Sequence, residues 1–83
     1  MSHLLKVLLF AGVREALGCD TVSIRLDSGA CVADLLTLLA GEHPEIAARR
    51  RSLGVAVNQA LAPSDQVLKV GDEVALIPPL GGG

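Results

Sequence analysis

Only one stretch of this chain is long and periodic enough to be a substantial helix. In CVADLLTLLAGEHP, residues 31–44, the apolar residues Val32, Leu35, Leu36 and Leu39 fall at i, i+3, i+4 and i+7 and so share one face. Asp34 in the first turn suits the positive end of the helix dipole, and Gly41 followed by Pro44 supplies the stop. Every other apolar run is of strand length. A single amphipathic helix has one stripe to hide, and short strands offer the face of a sheet to hide it against.

The strands can be read in turn. Residues 4–11, LLKVLLFA, are almost continuously apolar, which predicts a central strand, and VREALG (13–18) reads as a short helical turn closed by Gly18. TVSIRL (21–26) alternates, with Val22, Ile24 and Leu26 on one face and Thr21, Ser23 and Arg25 on the other, as in a strand wet on one side. Asp27-Ser28-Gly29 is turn chemistry, EIAARRRSL suits a further short helical turn, and VAVN (55–58) a short strand. Asn58-Gln59 makes a turn, and Gly71-Asp72 marks the corner before the last strand. Two strands, one dominant helix and further strands predict an α+β fold with one sheet against that helix, and no repeat or linker divides the 83 residues.

Hydrophobic residues make up 51% of the chain, which is high for so small a domain. Lys6, Arg14, Asp34 and Glu42 interrupt every apolar run well before the ~20 residues that a bilayer needs, and no signal-peptide cleavage site follows the first run. The expectation is a cytoplasmic protein with no membrane association, carrying an exposed apolar patch that a partner covers. Net charge is −2 and Phe10 is the only aromatic residue, so neither a basic field nor a base-stacking platform is present for nucleic acid. Cys19 and Cys31 form no CxxC, and with His3 and His43 they show no metal-ligand spacing. Their ordinary readings are a turn thiol, a helix-start thiol, a histidine in a disordered N-terminus and a loop histidine. Arg49-Arg50-Arg51 could serve a phosphate or a partner, but a run of charge ordinarily means a solvated face.

Strand parity locates the patch. If Val7 and Leu9 face the helix, Lys6, Leu8 and Phe10 face away; if Val74 and Leu76 face it, Glu73, Ala75 and Ile77 turn outward. Leu61, just after the Asn58-Gln59 turn, has few core partners within its own segment. Phe10, Leu61 and Ile77 are therefore candidates for the exposed patch; the alternative is a curled sheet edge that buries them. The chain then ends IPPLGGG, which is either a frayed tail or a working one.

The segments KVLLFAGVREALG, VNQ and GDEVALIPPLGGG closely resemble the small subunit of molybdopterin synthase, a ubiquitin-like sulfur carrier of the β-grasp fold. The resemblance covers essentially the whole chain. A terminal Gly-Gly is common to all such carriers, whereas F-A-x-V-R-E combined with G-D-E-V-A-x-x-P-P is more specific. It implies a mixed sheet on one main helix in a domain spanning 1–80, and a flexible glycine tail at 81–83. It further implies that the Gly83 carboxylate is the reactive group: an activating enzyme adenylates it with ATP, and sulfur replaces an oxygen to give a thiocarboxylate. The tail, Gly81 to Gly83, would then enter the large subunit and donate sulfur to cyclic pyranopterin monophosphate. No cofactor is expected on the chain itself, and ATP belongs to the activating enzyme.

Glycines without Cβ can thread a narrow channel, and Pro78 and Pro79 stop the strand from continuing. The positions matching Phe10, Leu61 and Ile77 form the family's contact with both the large subunit and the activating enzyme, with Pro78, Pro79 and Leu80 leading to the tail. Two departures stand out: the family often has an aromatic residue where Ile77 stands, and a helix-capping Thr where Cys31 stands. Two further readings share the tail chemistry, a carrier feeding thiamine, cysteine or thiolated-tRNA synthesis and a ubiquitin-like modifier of lysines.

Overall fold

The computed structural model describes residues 1–78, in which five strands form one mixed sheet in the order β2-β1-β5-β3-β4. β1 (Ser2–Leu9) pairs antiparallel with β2 (Thr21–Asp27) and parallel with β5 (Val74–Ile77), while β3 (Gly54–Val57) pairs antiparallel with both β5 and β4 (Ala60–Leu61). β1 is thus interior, as its continuous apolar run predicts, but the middle of the sheet belongs to β5. Between β1 and β2 lies α1 (Ala11–Leu17), closed by Gly18 at φ 71°, the left-handed conformation glycine adopts without penalty. This is the β-grasp arrangement: α+β, with one principal helix across the sheet.

That helix, α2 (Val32–Glu42), buries Val32, Leu35 and Leu39 against Leu5, Val7, Leu9, Ile24, Leu26, Val55, Val57, Val74 and Leu76. The facing strand residues all share one parity, so the sheet presents a single aliphatic face to the helix. Among the described residues none of the buried side chains is polar, and Phe10, the one aromatic residue, lies outside the core.

The start of α2 is held from two sides. Asp34 reaches back so that its Oδ2 accepts from the Cys31 backbone N–H at 2.9 Å and from the Cys31 thiol at 3.3 Å. These bonds hold the Asp34 carboxyl below the usual carboxylate range. The next two amides, of Val32 and Ala33, donate to the carbonyls of Gln66 and Ser64. The Ala33 amide, which a Thr cap at position 31 could accept, is thus taken up by the 63–67 loop, while the carboxylate satisfies the Cys31 amide.

Two expectations need correction. Gly41 does not end the helix, because it lies inside α2; the chain turns at His43, and Pro44 opens α3 (Pro44–Arg49) as its first residue, where its missing N–H costs nothing. A 3-10 turn over Arg50–Ser52 follows. His3 is not in a disordered terminus either. It stands in β1, paired with Leu26 of β2, with both ring nitrogens enclosed and without a hydrogen-bond partner. The antiparallel ladder, running from Ser2↔Asp27 to Leu8↔Thr21, carries the strand almost to the first residue.

Candidate partner-binding face

The face of the sheet away from α2 is built from the residues of opposite parity. One register row runs across it as Thr21, Leu8, Ala75, Ala56 and Leu61. At the next step Ile77 pairs with Gly54, and continuing the parallel register from Leu9↔Leu76 sets Phe10 beside Ile77. The floor is made of small residues: Ala56 and Ala75 are buried there although no helix covers them. The rim is large, with Phe10 45% and Leu61 71% exposed and Ile77 and Pro78 half-buried. A curled edge that buries these residues is therefore not what forms.

Each rim residue is aimed by a local backbone feature. Phe10 is extended (φ −129°, ψ 158°), and the chain turns into α1 through Ala11 at φ 49°, so Phe10 stays with the sheet. Leu61 is brought round by a hairpin whose turn residues, Asn58 and Gln59, both have positive φ (53° and 71°). Its Cδ2 lies 3.5 Å from the position a Cβ would take on Gly54, so Leu61 lies over the backbone of the neighbouring strand. Pro78 follows β5 directly, and the chain leaves the sheet from within this apolar face. Of the sequence candidates, Phe10, Leu61, Ile77 and Pro78 are thus gathered on one face, while Pro79, Leu80, Gly81, Gly82 and Gly83 lie outside the described residues.

Sequence reading missed the support behind Leu61. Asn58 Nδ2 donates to Asp72 Oδ1 at 3.0 Å, and Asn58 Oδ1 accepts from the Glu73 amide at 3.0 Å. Asp72 Oδ2 accepts from the Lys69 amide at 2.8 Å, and the Asn58 amide donates to the Glu73 carbonyl at 2.7 Å. The Lys69 amide first, and then the Asn58 side chain, hold the Asp72 carboxyl below its usual range. The VN and GDE motifs signal two turns, but nothing in their spacing says that the turns are joined.

The remaining chemistry-bearing side chains are dispersed. Cys19 is exposed and Cys31 half-buried, both as free thiols, and among the described residues no three His, Cys, Asp or Glu side chains are grouped to hold a metal ion. In the arginine run, Arg49 donates to the Glu45 carbonyl and Arg50 to the Thr37 hydroxyl. A groove of about 510 Å3 between the β2–α2 turn and α2 is lined by Leu26, Asp27, Ala30, Asp34 and Leu38 among others, and shares no residue with the apolar face. Among the described residues no helix is long and apolar enough to cross a membrane.

Comparison with known proteins agrees with the fold. Residues 7–83 match the model of the ThiS family. The molybdopterin synthase sulfur carrier subunit of Chlamydomonas reinhardtii is 42% identical, over 95% of this chain and 98% of that one. The crystal structure of Haloferax volcanii small archaeal modifier protein 1 superposes with a TM-score of 0.83 at 32% identity, covering 93% of this chain and 98% of the other. In fold alone, the chain also matches a structure of the complex of subunits 1 and 2 of molybdopterin-converting factor from Helicobacter pylori, with a TM-score of 0.66 at 21% identity over 98% and 100% of the two chains.

Proposed function

We propose that this chain, which belongs to the ThiS family of ubiquitin-like β-grasp proteins, is the sulfur-carrying small subunit of a molybdopterin synthase. The observation that carries the reading is the position of β5. Among the described residues the last strand ends at Ile77 in an exposed apolar face, which supports a reading in which a partner covering Phe10, Leu61 and Ile77 also takes up the segment after Pro78. The name borne by the Chlamydomonas relative supports the same role, and the Helicobacter complex supports a second subunit as the partner.

The chemistry proposed for Gly83 starts from a carboxylate, which is inert toward nucleophiles. Its oxygen attacks the α-phosphate of ATP on an activating enzyme, pyrophosphate leaves, and a glycyl adenylate results. Hydrosulfide then displaces AMP and leaves a thiocarboxylate; where a protein persulfide is the donor, the acyl disulfide it forms is cleaved by a second thiol, which leaves as a disulfide with the donor. Inside the large subunit the thiocarboxylate sulfur attacks a side-chain carbon of cyclic pyranopterin monophosphate, whose C–O bond breaks with the oxygen leaving as water or as a freed phosphate-ester oxygen. Water then hydrolyses the acyl–sulfur bond, leaving the sulfur on the pterin and regenerating the carboxylate. No side chain of this chain takes part; its contribution is to fix the position of the terminus.

Reach is therefore the test. Deleting Gly83 shortens an extended tail by about 3.5 Å, and a misplacement of ~1 Å can cost on the order of a hundredfold in rate. Both this deletion and a one-residue extension should fold as the parent does and fail in a reconstituted assay with activating enzyme, sulfur source, large subunit and pterin precursor. Near-normal product from either, with its terminus verified by mass, would overturn the proposal. A second reading, modification of protein lysines, is favoured by the likeness to small archaeal modifier protein 1. A ladder of conjugates without a thiocarboxylate mass would select it.

A further inference from the structure

We infer that Asn58 and Asp72 are positioning residues for the partner face, acting by clamping the hairpin that presents Leu61. The inference rests on the reading above, in which Leu61 meets a partner. Three observations lead to it. First, the hairpin is poorly held by its own turn, because Gln59 sits at φ 71°, a conformation that a residue with a Cβ adopts only at a cost. Second, β4 has just two residues, at the edge of the sheet, and among the described residues pairs only with β3. Third, the tie missing from the turn is made at its corner, where the Asn58 side chain bridges the Asp72 carboxylate and the Glu73 amide immediately before β5. Leu61 at the edge is thereby referred to the same strand that carries Ile77.

The clamp has a polarity that allows a reciprocal exchange. Asn58 donates to Asp72 through Nδ2 and accepts from Glu73 through Oδ1, while Asp72 accepts from Asn58 and from the Lys69 amide. In N58D two carboxylates face each other without a proton between them. In D72N a single oxygen must serve both Asn58 and the Lys69 amide, so one bond is lost. In the double exchange, Asp at 58 accepts from Glu73 and from the new amide at 72, whose oxygen still accepts from Lys69. All three bonds return, with the donor reversed only in the one between 58 and 72, and Asp, like Asn, tolerates a positive φ.

The experiment measures calorimetric affinity of full-length variants for the recombinant large subunit, with thermal melts to correct for the folded fraction. Leu61→Ala should weaken binding about tenfold. N58D should weaken it several-fold to about tenfold, as expected for a group coupled to a contact residue. The N58D/D72N exchange should return to within about twofold of the parent. Added to Leu61→Ala, N58D should cost little more, whereas added to Phe10→Ala it should cost its full factor. If Leu61→Ala binds as the parent does, the partner-face reading fails and the clamp's role falls with it. If Leu61→Ala is weakened but N58D is not, or if the exchange fails to restore binding, or if N58D costs as much with Leu61 removed as with Phe10 removed, the clamp is overturned while the partner face stands.

Discussion

Replacing Leu61 with alanine separates a contact residue from a core residue, and its size can be worked from exposure. Full burial of a leucine is worth about 1.5–3 kcal/mol, so covering the 71% of Leu61 that is exposed in the free chain corresponds to about 1–2 kcal/mol. The hidden remainder contributes to folding by about 0.4–0.9 kcal/mol on the same scale. Leu61→Ala should therefore lose five- to thirtyfold in affinity, at roughly 1.4 kcal/mol per tenfold. Its melting midpoint should fall by only about 2–7 °C, given about 4–8 °C per kcal/mol for a domain of this size. Phe10 behaves differently because it is already 55% hidden by folding, the complement of its 45% exposure. On the same scale of about 1.5–3 kcal/mol for full burial, about half belongs to each transition, or ~1 kcal/mol apiece. Phe10→Ala should thus lower both affinity and melting temperature. Calorimetry against the large subunit, paired with melts of the free variants, reads both quantities. A large fall in melting temperature for Leu61→Ala with unchanged affinity would refute the assignment of exposed area to the partner.

A Cys19→Ser, Cys31→Ser double variant should still accept sulfur at its terminus, seen as a thiocarboxylate by intact mass, because neither thiol belongs to the partner face. Leu35→Ala, at a fully buried position where α2 meets the sheet, should cost about 3–5 kcal/mol and leave a domain this small largely unfolded at 37 °C by circular dichroism. Asp34 and Asp72 both have carboxyls held below their unfolded value, so the stability they confer is complete above the unfolded pKa of about 3.9 and is lost as pH falls through the lower folded values. Melting curves of Asp72→Asn should lie below the parent at pH 7 and converge with it in acid; parallel curves across that range would exclude the linkage.

What could be read in the sequence was whatever a periodicity or a turn residue encodes locally. The i, i+3, i+4, i+7 pattern of Val32, Leu35, Leu36 and Leu39 gave the helix and its buried stripe, and alternation gave the wet face of β2. Parity alone sent Phe10 and Ile77 away from the helix, since the pleat leaves no other choice once Leu9 and Leu76 are inside. Strand order was beyond reach: the Leu-rich first run reads as the centre of the sheet, yet β5, with four residues, holds that place, and its pairing with β1 joins residues too far apart in sequence for a local pattern to report. Gly41 was misread because a helix already packed through Leu35 and Leu39 tolerates a glycine near its end. The Asn58–Asp72 bond joins residues fourteen apart through side chains, and no local pattern reports such a bond.

The parallel alignment of β1 with β5 has a mechanical consequence. β5 is hydrogen-bonded on both flanks, to β1 and to β3, so traction applied beyond Pro78 along the strand axis loads both ladders in shear, with every rung resisting at once. An edge strand peeled sideways would yield one rung at a time. A domain tethered by this end to a receptor that draws in its leading segment would be gripped like a bolt by its shank, and the force would spread into the sheet.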